Sequence, residues 1–545
     1  MMSDWGATHS TVPAALAGLD QQMPDDGYFG AALAAAVAAG TVPESRIDDM
    51  VMRMLTPMFA LNLFDTQAGP APGADPNRNT STYARSPAHD ALARDLAQAS
   101  ITLLKNNGIL PVSPSDVKTV AIFGDQDTAS GGGSGHVEAP YTITPTQGIT
   151  TFLTGTSPAT PTGTCTYDPG FDYYQTDSPS VSASSKEECC NACAAYAGCK
   201  AFTWDGSNTC WVKPNASGRR ADASVISGNC TGVTPAPPSP NGVNVTYYPT
   251  QDPVAAAAAA QGADLVVMVV ATDSSEGGDR SSLGFAAWMD SLTTALIAAN
   301  PNTVVVARCP GACTMSWASS APAILYELLA GQETGTSIAN TIFGANNPSG
   351  KLPVTFPNPA PAGQAFPTDT WLSPVGGGPV DPAMWPGTDR GRGFPEADYN
   401  ENLLMGYRWY DAQGTNPQWP FGHGLSYSTF SYAPLSVVGT VSSTASATIY
   451  STICNTAGPA GAEVAQLYIG YPAAANEPPK QLKGFEKIAL GPSDCSGVGF
   501  PIQASDLWVW DVVSQTWQLI PGTYTLSLGS SSRDIRQTGT LTVTA

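Results

Sequence analysis

The sequence is poor in charge. Only 12% of its 545 residues are Asp, Glu, Lys or Arg, about half the usual share, which excludes a coiled coil and a charge-rich disordered chain. Basic residues are scarcer still, 23 against 44 acidic, for a net charge of −21. So few cations offer no basic face, which argues against nucleic-acid binding and suits a soluble protein with neutral or cationic partners. Long apolar runs are missing too. No stretch reaches the roughly 18 uninterrupted apolar residues of a membrane span, and the best candidate, around 255–271, is broken by Gln261, Gly262 and Asp264. The four histidines (His9, His89, His136, His423) are too scattered for a metal-ligand motif, so no metal is expected. The first residues, MMSDWGATHS, hold neither the basic nor the apolar segment of a signal peptide.

Glycine (54) and proline (47) are abundant, and 42% of the residues are hydrophobic. At roughly 150 residues per domain, three or four domains are expected, each able to bury a core. Of eleven cysteines, seven crowd between Cys165 and Cys230, as in a disulfide-stapled module made in an oxidising compartment. The glycosylation triplets at Asn79, Asn215 and Asn244 agree with export. Export features without an export signal lead to the expectation that the start of the parent protein lies upstream of Met1.

Residues 1–65 read as the end of an α/β domain. Short segments at Met1–Trp5 and Ala17–Pro24 precede a small-residue helix from Gly30 to Ala39. A second helix begins near Pro43, with Ile47, Met50, Val51, Met54, Leu55 and Met58 on one face. A Pro/Gly/Ala/Ser/Thr-rich linker fills 66–86. Over 87–355, helices alternate with continuous apolar strands. The expected elements are helix Ala91–Leu104, strands Thr119–Gly124 and Leu265–Ala271, a helix from Phe285 to Asn300, and strands Thr303–Ala307 and Ala323–Leu329. Such alternation predicts a largely parallel sheet covered on both faces. Thr/Pro/Ser-rich spacers set off the cysteine cluster as an insert, 158–235. After connecting loops at 356–428, period-two alternation at Val498, Phe500, Ile502 and at Tyr524, Leu526, Leu528 predicts an antiparallel β-sandwich over 429–545.

Two glycine-rich loops mimic phosphate-binding motifs. In Gly131–His136 (GGGSGH) a His replaces the third dinucleotide glycine; in Gly344–Leu352 (GANNPSGKL) the spacing is one residue too long and Leu352 replaces the magnesium-binding hydroxyl. Both read as turns. Ser134 beside His136 leaves a nucleophile elbow incomplete. Carboxylates are better candidates for chemistry. Asp4 in SDWG and Glu276 in TDSSEGGDRSSL each follow the end of a strand, where α/β domains place reactive groups. Trp5 offers a flat apolar face to a sugar ring, although a capping Asp beside a core Trp is the simpler account of the tetrapeptide alone. Asp279 and Arg280 read as an ion pair that orders their loop. Two carboxylates on separate strand ends suit glycoside hydrolysis, which needs an acid/base and a nucleophile.

Longer motifs occur in a fixed order: SDWGATHST with AGLDQQMP, QASITLLKNNGILP, GGGSG followed by YTITPTQGI, and SSEGGDRSSL. AGQETGTSIANTIFGANNPSGKLPVTFP, GYRWYD, PFGHGLSYSTF, and a tail with QLKGFEKIAL and PGTYTLSLGSSSRDIR follow. Together they resemble glycoside hydrolase family 3, the β-glucosidase and β-xylosidase family, over nearly the whole chain outside the insert. The resemblance implies a multidomain α/β plus β architecture. Residues 1–65 would be the C-terminal remnant of a (β/α)8 barrel, followed by an α/β sandwich with the cysteine-rich insert and a fibronectin type III-like β-sandwich. It places the nucleophile on Asp4, with Trp5 lining the sugar site, and points to Glu276 as the acid/base. The implied activity is that of a secreted, retaining, exo-acting β-glucosidase that hydrolyses β-linked glucosides or oligosaccharides without a cofactor. A β-xylosidase or broader exo-glycosidase is the alternative, and a non-catalytic carbohydrate- or protein-binding protein a further one. A complete barrel takes about 250 residues, so these 545 residues by themselves are expected to be inactive.

The insert, with EECCNACAAYAGCKAFTWDGSNTCW, resembles a PAN/apple module, which binds proteins or carbohydrates. Nested pairing is expected within it: Cys165–Cys230, Cys189–Cys210 and Cys193–Cys199. Cys189 and Cys193 share a helix face, leaving Cys190 as the odd thiol, the alternative being that Cys189 and Cys190 exchange roles. Cys309–Cys313 and Cys454–Cys495 are further candidate bridges.

Overall fold

Leu265–Ala271 (LVVMVVA) and Thr303–Arg308 (TVVVAR) are buried along their whole length, as strands must be when helices cover both faces of a sheet. In the computed structural model they form the centre of a six-stranded sheet. Its order is Asn244–Tyr248, Thr119–Gly124, Leu265–Ala271, Thr303–Arg308, Ala323–Glu327, Thr102–Asn106. The first five strands are parallel, and the last runs antiparallel to its neighbour. The structure describes residues 1–64 and 86–544, except 26, 128–130, 133, 135, 138, 140, 156–161, 175–179, 184, 196–198, 207–208, 214, 235–241, 277–279, 281, 360–387, 390–394 and 397–401.

Alternate side chains of these strands feed two cores. Phe123, Met268 and Ile324 pack with Leu292 and Leu296 of helix Ala287–Ala299 on one face. Ile122, Val267 and Leu325 pack with Ile149 of helix Pro145–Thr154 and Ile338 of helix Thr334–Ile342 on the other. These last two helices touch through glycine: a Cβ on Gly148 would lie 2.0 Å from the carbonyl oxygen of Gly335. The expected helix Ala91–Leu104 is corrected. The helix is Pro87–Ser100, and Thr102–Asn106 is the antiparallel edge strand. Leu103 belongs to one core and Leu104 to the other, so this segment is apolar on opposite sides, a requirement of a strand inside two layers rather than of a one-striped helix. The run from Ala323 likewise stops at Glu327, and Leu328 and Leu329 are exposed.

The chain divides into two units, Met1–Ser86 and Pro87–Ala545. In the first, Met2–Trp5 pairs in parallel with Gln21–Met23, and Val12–Leu16 is helical. Helices Ala31–Ala38 and Glu44–Ala60 follow. The core is small: Ala15, Val42 and Met50 are its buried members. Of the apolar face expected on the second of these helices, Met50 is buried whereas Val51 and Met58 are exposed.

Over 429–544 two antiparallel sheets enclose a core in which Val498, Phe500, Ile502, Tyr524, Leu526 and Leu528 all point inward, as their period of two predicts. Cys454 and Cys495 face each other across adjacent strands and are joined. Cys309–Cys313 is also formed.

The insert is a five-stranded antiparallel sheet with one helix, Lys186–Ala195. Cys189–Cys210 and Cys193–Cys199 are joined. The expected Cys165–Cys230 bridge is corrected: Cys165 is bonded to Cys190, and Cys230 is the free thiol. Consecutive helical residues point about 100° apart, so Cys189 reaches strand Thr209–Lys213 while Cys190 reaches the strand bearing Cys165. Cys230 sits directly opposite Cys165 across two strands, with the sulfurs 2.9 Å apart and unbonded. Among the described residues, no helix is long and apolar enough to cross a membrane.

Candidate active site

The sheet strands Thr119–Gly124 and Leu265–Ala271 are parallel neighbours, so their carboxyl ends release two loops side by side. The loops meet in an isolated bridge between Gly132 and Ser275. The approach requires glycine, because a Cβ on Gly132 would lie 2.8 Å from Ser275 Cβ and Oγ. Glu276 follows at once. Its Oε2 accepts the Ser134 backbone N–H at 2.8 Å and the Ser134 hydroxyl at 2.5 Å. These two donors hold the Glu276 carboxyl below its ordinary value, against a smaller upward push from burial, because they favour the charged form. Ser134 thus serves Glu276 and not His136, whose Nδ1 lies 3.3 Å from the Gly131 oxygen. Among the described residues no nucleophile elbow is assembled here. Arg280 donates to the Ala312 carbonyl at 3.0 Å; its expected partner Asp279 lies outside the described residues.

A second polar cluster caps the same sheet edge. Arg308, 2% exposed, reaches Asp125 at 3.2 Å and approaches Glu327 at 3.6 Å. Glu327 is fully buried and accepts the Ser337 hydroxyl at 3.0 Å. Burial pushes its carboxyl up to about 7, partly offset by Arg308 and Ser337. The cluster cross-links two strands, the loop that leaves a third, and a helix. The expected strand ends, Ala307 and Leu329, hide it; the signal in the sequence is an Arg and a Glu in register at the ends of two adjacent apolar strands.

In the first unit, Asp4 is part of the strand Met2–Trp5 rather than beyond it. It is exposed, and its Oδ1 accepts the Trp5 N–H at 2.7 Å. Ser3 fixes the strand pair, accepting the Met23 N–H at 2.8 Å. Trp5 is 71% exposed, so it is not the core Trp of the simpler account but an open indole face. Asp4 and Glu276 stand in different units.

Among the described residues one group of soft ligands converges: the sulfurs of Cys165, Cys190 and Cys230 lie within 4.8 Å of one another. Two of them are spent in a disulfide, and metal binding needs thiolates.

Residues 101–427 match the glycosyl hydrolase family 3 C-terminal domain, and 463–532 match the fibronectin type III-like domain. The chain belongs to glycosyl hydrolase family 3. It is 31% identical over 585 aligned residues to a probable beta-glucosidase L of Aspergillus fumigatus, covering 100% of this chain and 66% of that protein. It is 30% identical to a probable beta-glucosidase G of Emericella nidulans, covering 99% and 63%. Among solved structures, the beta-D-glucoside glucohydrolase of Trichoderma reesei superposes with a TM-score of 0.70 at 28% identity, covering 100% of this chain and 68% of that one. DesR, a beta-glucosidase of Streptomyces venezuelae in complex with D-glucose, gives 0.69 at 26% identity, covering 100% and 72%. This family 3 chain therefore spans about two thirds of the length of its relatives. Its mixed α/β sheet and fibronectin-like sandwich are the fold those matches imply. Ser134 stands out in the sequence only as an incomplete nucleophile in a turn; its position beside the Glu276 loop follows from the strand order.

Proposed function

We propose that this chain supplies part of a retaining, exo-acting β-glucosidase, secreted and acting on terminal β-linked glucosyl residues. The observation that carries the reading is the match of the whole chain to proteins named as β-glucosidases, together with a carboxylate held at the carboxyl edge of a parallel sheet. In this mechanism Asp4 attacks the anomeric carbon while Glu276, protonated, gives its proton to the departing glycosidic oxygen. The ionised Glu276 then takes a proton from water, whose oxygen attacks the anomeric carbon and releases Asp4. The two carboxyl groups stand about 5–5.5 Å apart in a competent retaining site. Trp5 stacks on the glucosyl ring with its open indole face.

The cysteine-rich insert is assigned a binding role toward carbohydrate or protein, supported by its resemblance to apple modules and by the half-exposed Tyr174, on which Arg220 lies at 4.1 Å.

The test uses the protein that carries this chain with a complete barrel. Asp4→Ala abolishes turnover of aryl β-glucosides. Glu276→Ala slows substrates with poor leaving groups more than activated ones, by about 10²- to 10⁴-fold, and azide restores the activated ones. Equal losses on both classes would move the acid role off Glu276.

A further inference from the structure

The Ser134–Glu276 pair is built by tertiary structure, since 142 positions separate its members. Three features make it specific. The two loops are zipped by the Gly132–Ser275 bridge, and the Glu276 N–H points to the Gly132 carbonyl at 3.5 Å. Only glycine at 132 allows that approach. Both donors of Ser134 then converge on one oxygen, Oε2. Glu276 is otherwise exposed, and a long carboxylate side chain in a loop has several rotamers to lose; Ser134 selects one.

We propose that Ser134 is the positioning residue of Glu276, holding Oε2 and thereby reserving Oε1 as the oxygen that gives and takes the catalytic proton. This rests on reading Glu276 as the acid/base. A carboxyl protonated on Oε2 would set its own O–H against two donors, whereas one protonated on Oε1 keeps both contacts by accepting through Oε2. In the first half-reaction the Oε1–H bond breaks and its proton passes to the leaving oxygen. In the second, Oε1 takes the proton of the attacking water, and the bond from the sugar to the Asp4 carboxylate breaks. Ser134 keeps its hydroxyl proton throughout. Among the described residues, the other titratable groups on the two loops are Asp125, Asp127, His136 and Tyr141 on one side and Asp273 and Arg280 on the other; the downward shift of Glu276 comes from Ser134.

The contact is tested on this chain by ¹³C-carboxyl NMR titration, with the Glu276 signal assigned by its loss in Glu276→Gln. The wild-type midpoint is expected below the ordinary glutamate value of 4.5. Ser134→Ala raises it part of the way, because the backbone N–H remains, and Ser134→Thr, which keeps a hydroxyl, restores it. A midpoint that Ser134→Ala leaves unmoved overturns the proposal. In the protein with a complete barrel, Ser134→Ala lowers kcat on poor leaving groups about ten- to a hundredfold, and the alkaline limb of its pH profile moves up with the NMR midpoint. If Glu276→Ala is inactive and rescued by azide while Ser134→Ala changes neither rate nor limb, the positioning role falls and the acid/base reading stands. If Glu276→Ala keeps full turnover, the acid/base reading falls and takes the proposal with it.

Discussion

Ala15, Val42 and Met50 are the buried apolar core of the unit that carries Asp4. The sheet that carries Glu276 is closed by two clusters, one built around Met268 and Leu292 and the other around Val267 and Ile338. The same contrast holds for the two carboxylates. Glu276 is gripped by Ser134 from a neighbouring loop, while Asp4 is held by the N–H of the next residue. Chemistry at an anomeric carbon needs both groups fixed to within a fraction of an ångström.

The largest effect that would break this contrast is turnover itself. Residues 1–545 produced alone are expected to show no hydrolysis of an aryl β-glucoside, and limited proteolysis is expected to remove the first unit before the second. Hydrolysis by these residues that Asp4→Ala eliminates would mean that the first unit is as well ordered as the second.

Smaller effects sharpen it. Leu292 is fully buried against the parallel sheet, so Leu292→Ala is expected to cost about 2–5 kcal/mol in urea unfolding of the second unit. Met50→Ala should leave that same transition within about 0.5 kcal/mol. Equal shifts would show that the units unfold as one.

The third effect depends on pH. Glu327 holds its proton up to about 7 in the folded chain, against an ordinary value of 4.5. Folding therefore takes up a proton between those values. The stabilisation is whole below pH 4.5 and is lost as pH rises through 7, by up to about 3 kcal/mol given roughly 1.4 kcal/mol per pKa unit. Glu327→Gln is expected to flatten the fall in Tm over that window; an unchanged slope would place Glu327 in its ionised form throughout, fully paired with Arg308.

Where one period governed a segment, the sequence was transparent. Leu265–Ala271 is the strand that its apolar run announced, and Tyr524, Leu526 and Leu528 face inward as their alternation required. The failures came where two periods met or where distant residues had to be brought together. Helical spacing from Ala91 runs without a breaker into Ile101–Leu104, and nothing local marks Ser100 as the last helical residue. Cys165 was expected to pair with Cys230 and is bonded to Cys190 instead, because helix azimuth relative to the sheet decides between them and is set by packing. The carboxylates Asp4 and Glu276 stood out through neighbouring motif residues. Ser134 did not, since its meaning depends on strands 119–124 and 265–271 being adjacent.

The two ends of the insert lie side by side: Thr162 pairs with Thr234, and the two long strands run antiparallel from there. Without it, Thr119–Gly124, helix Pro145–Thr154 and Asn244–Tyr248 read as an ordinary crossover, two adjacent parallel strands joined by a helix. The whole cysteine-rich body thus hangs from the return loop of one βαβ unit, where added length costs little loop-closure entropy. Rejoining the chain across it is expected to leave the sheet that carries Glu276 its register.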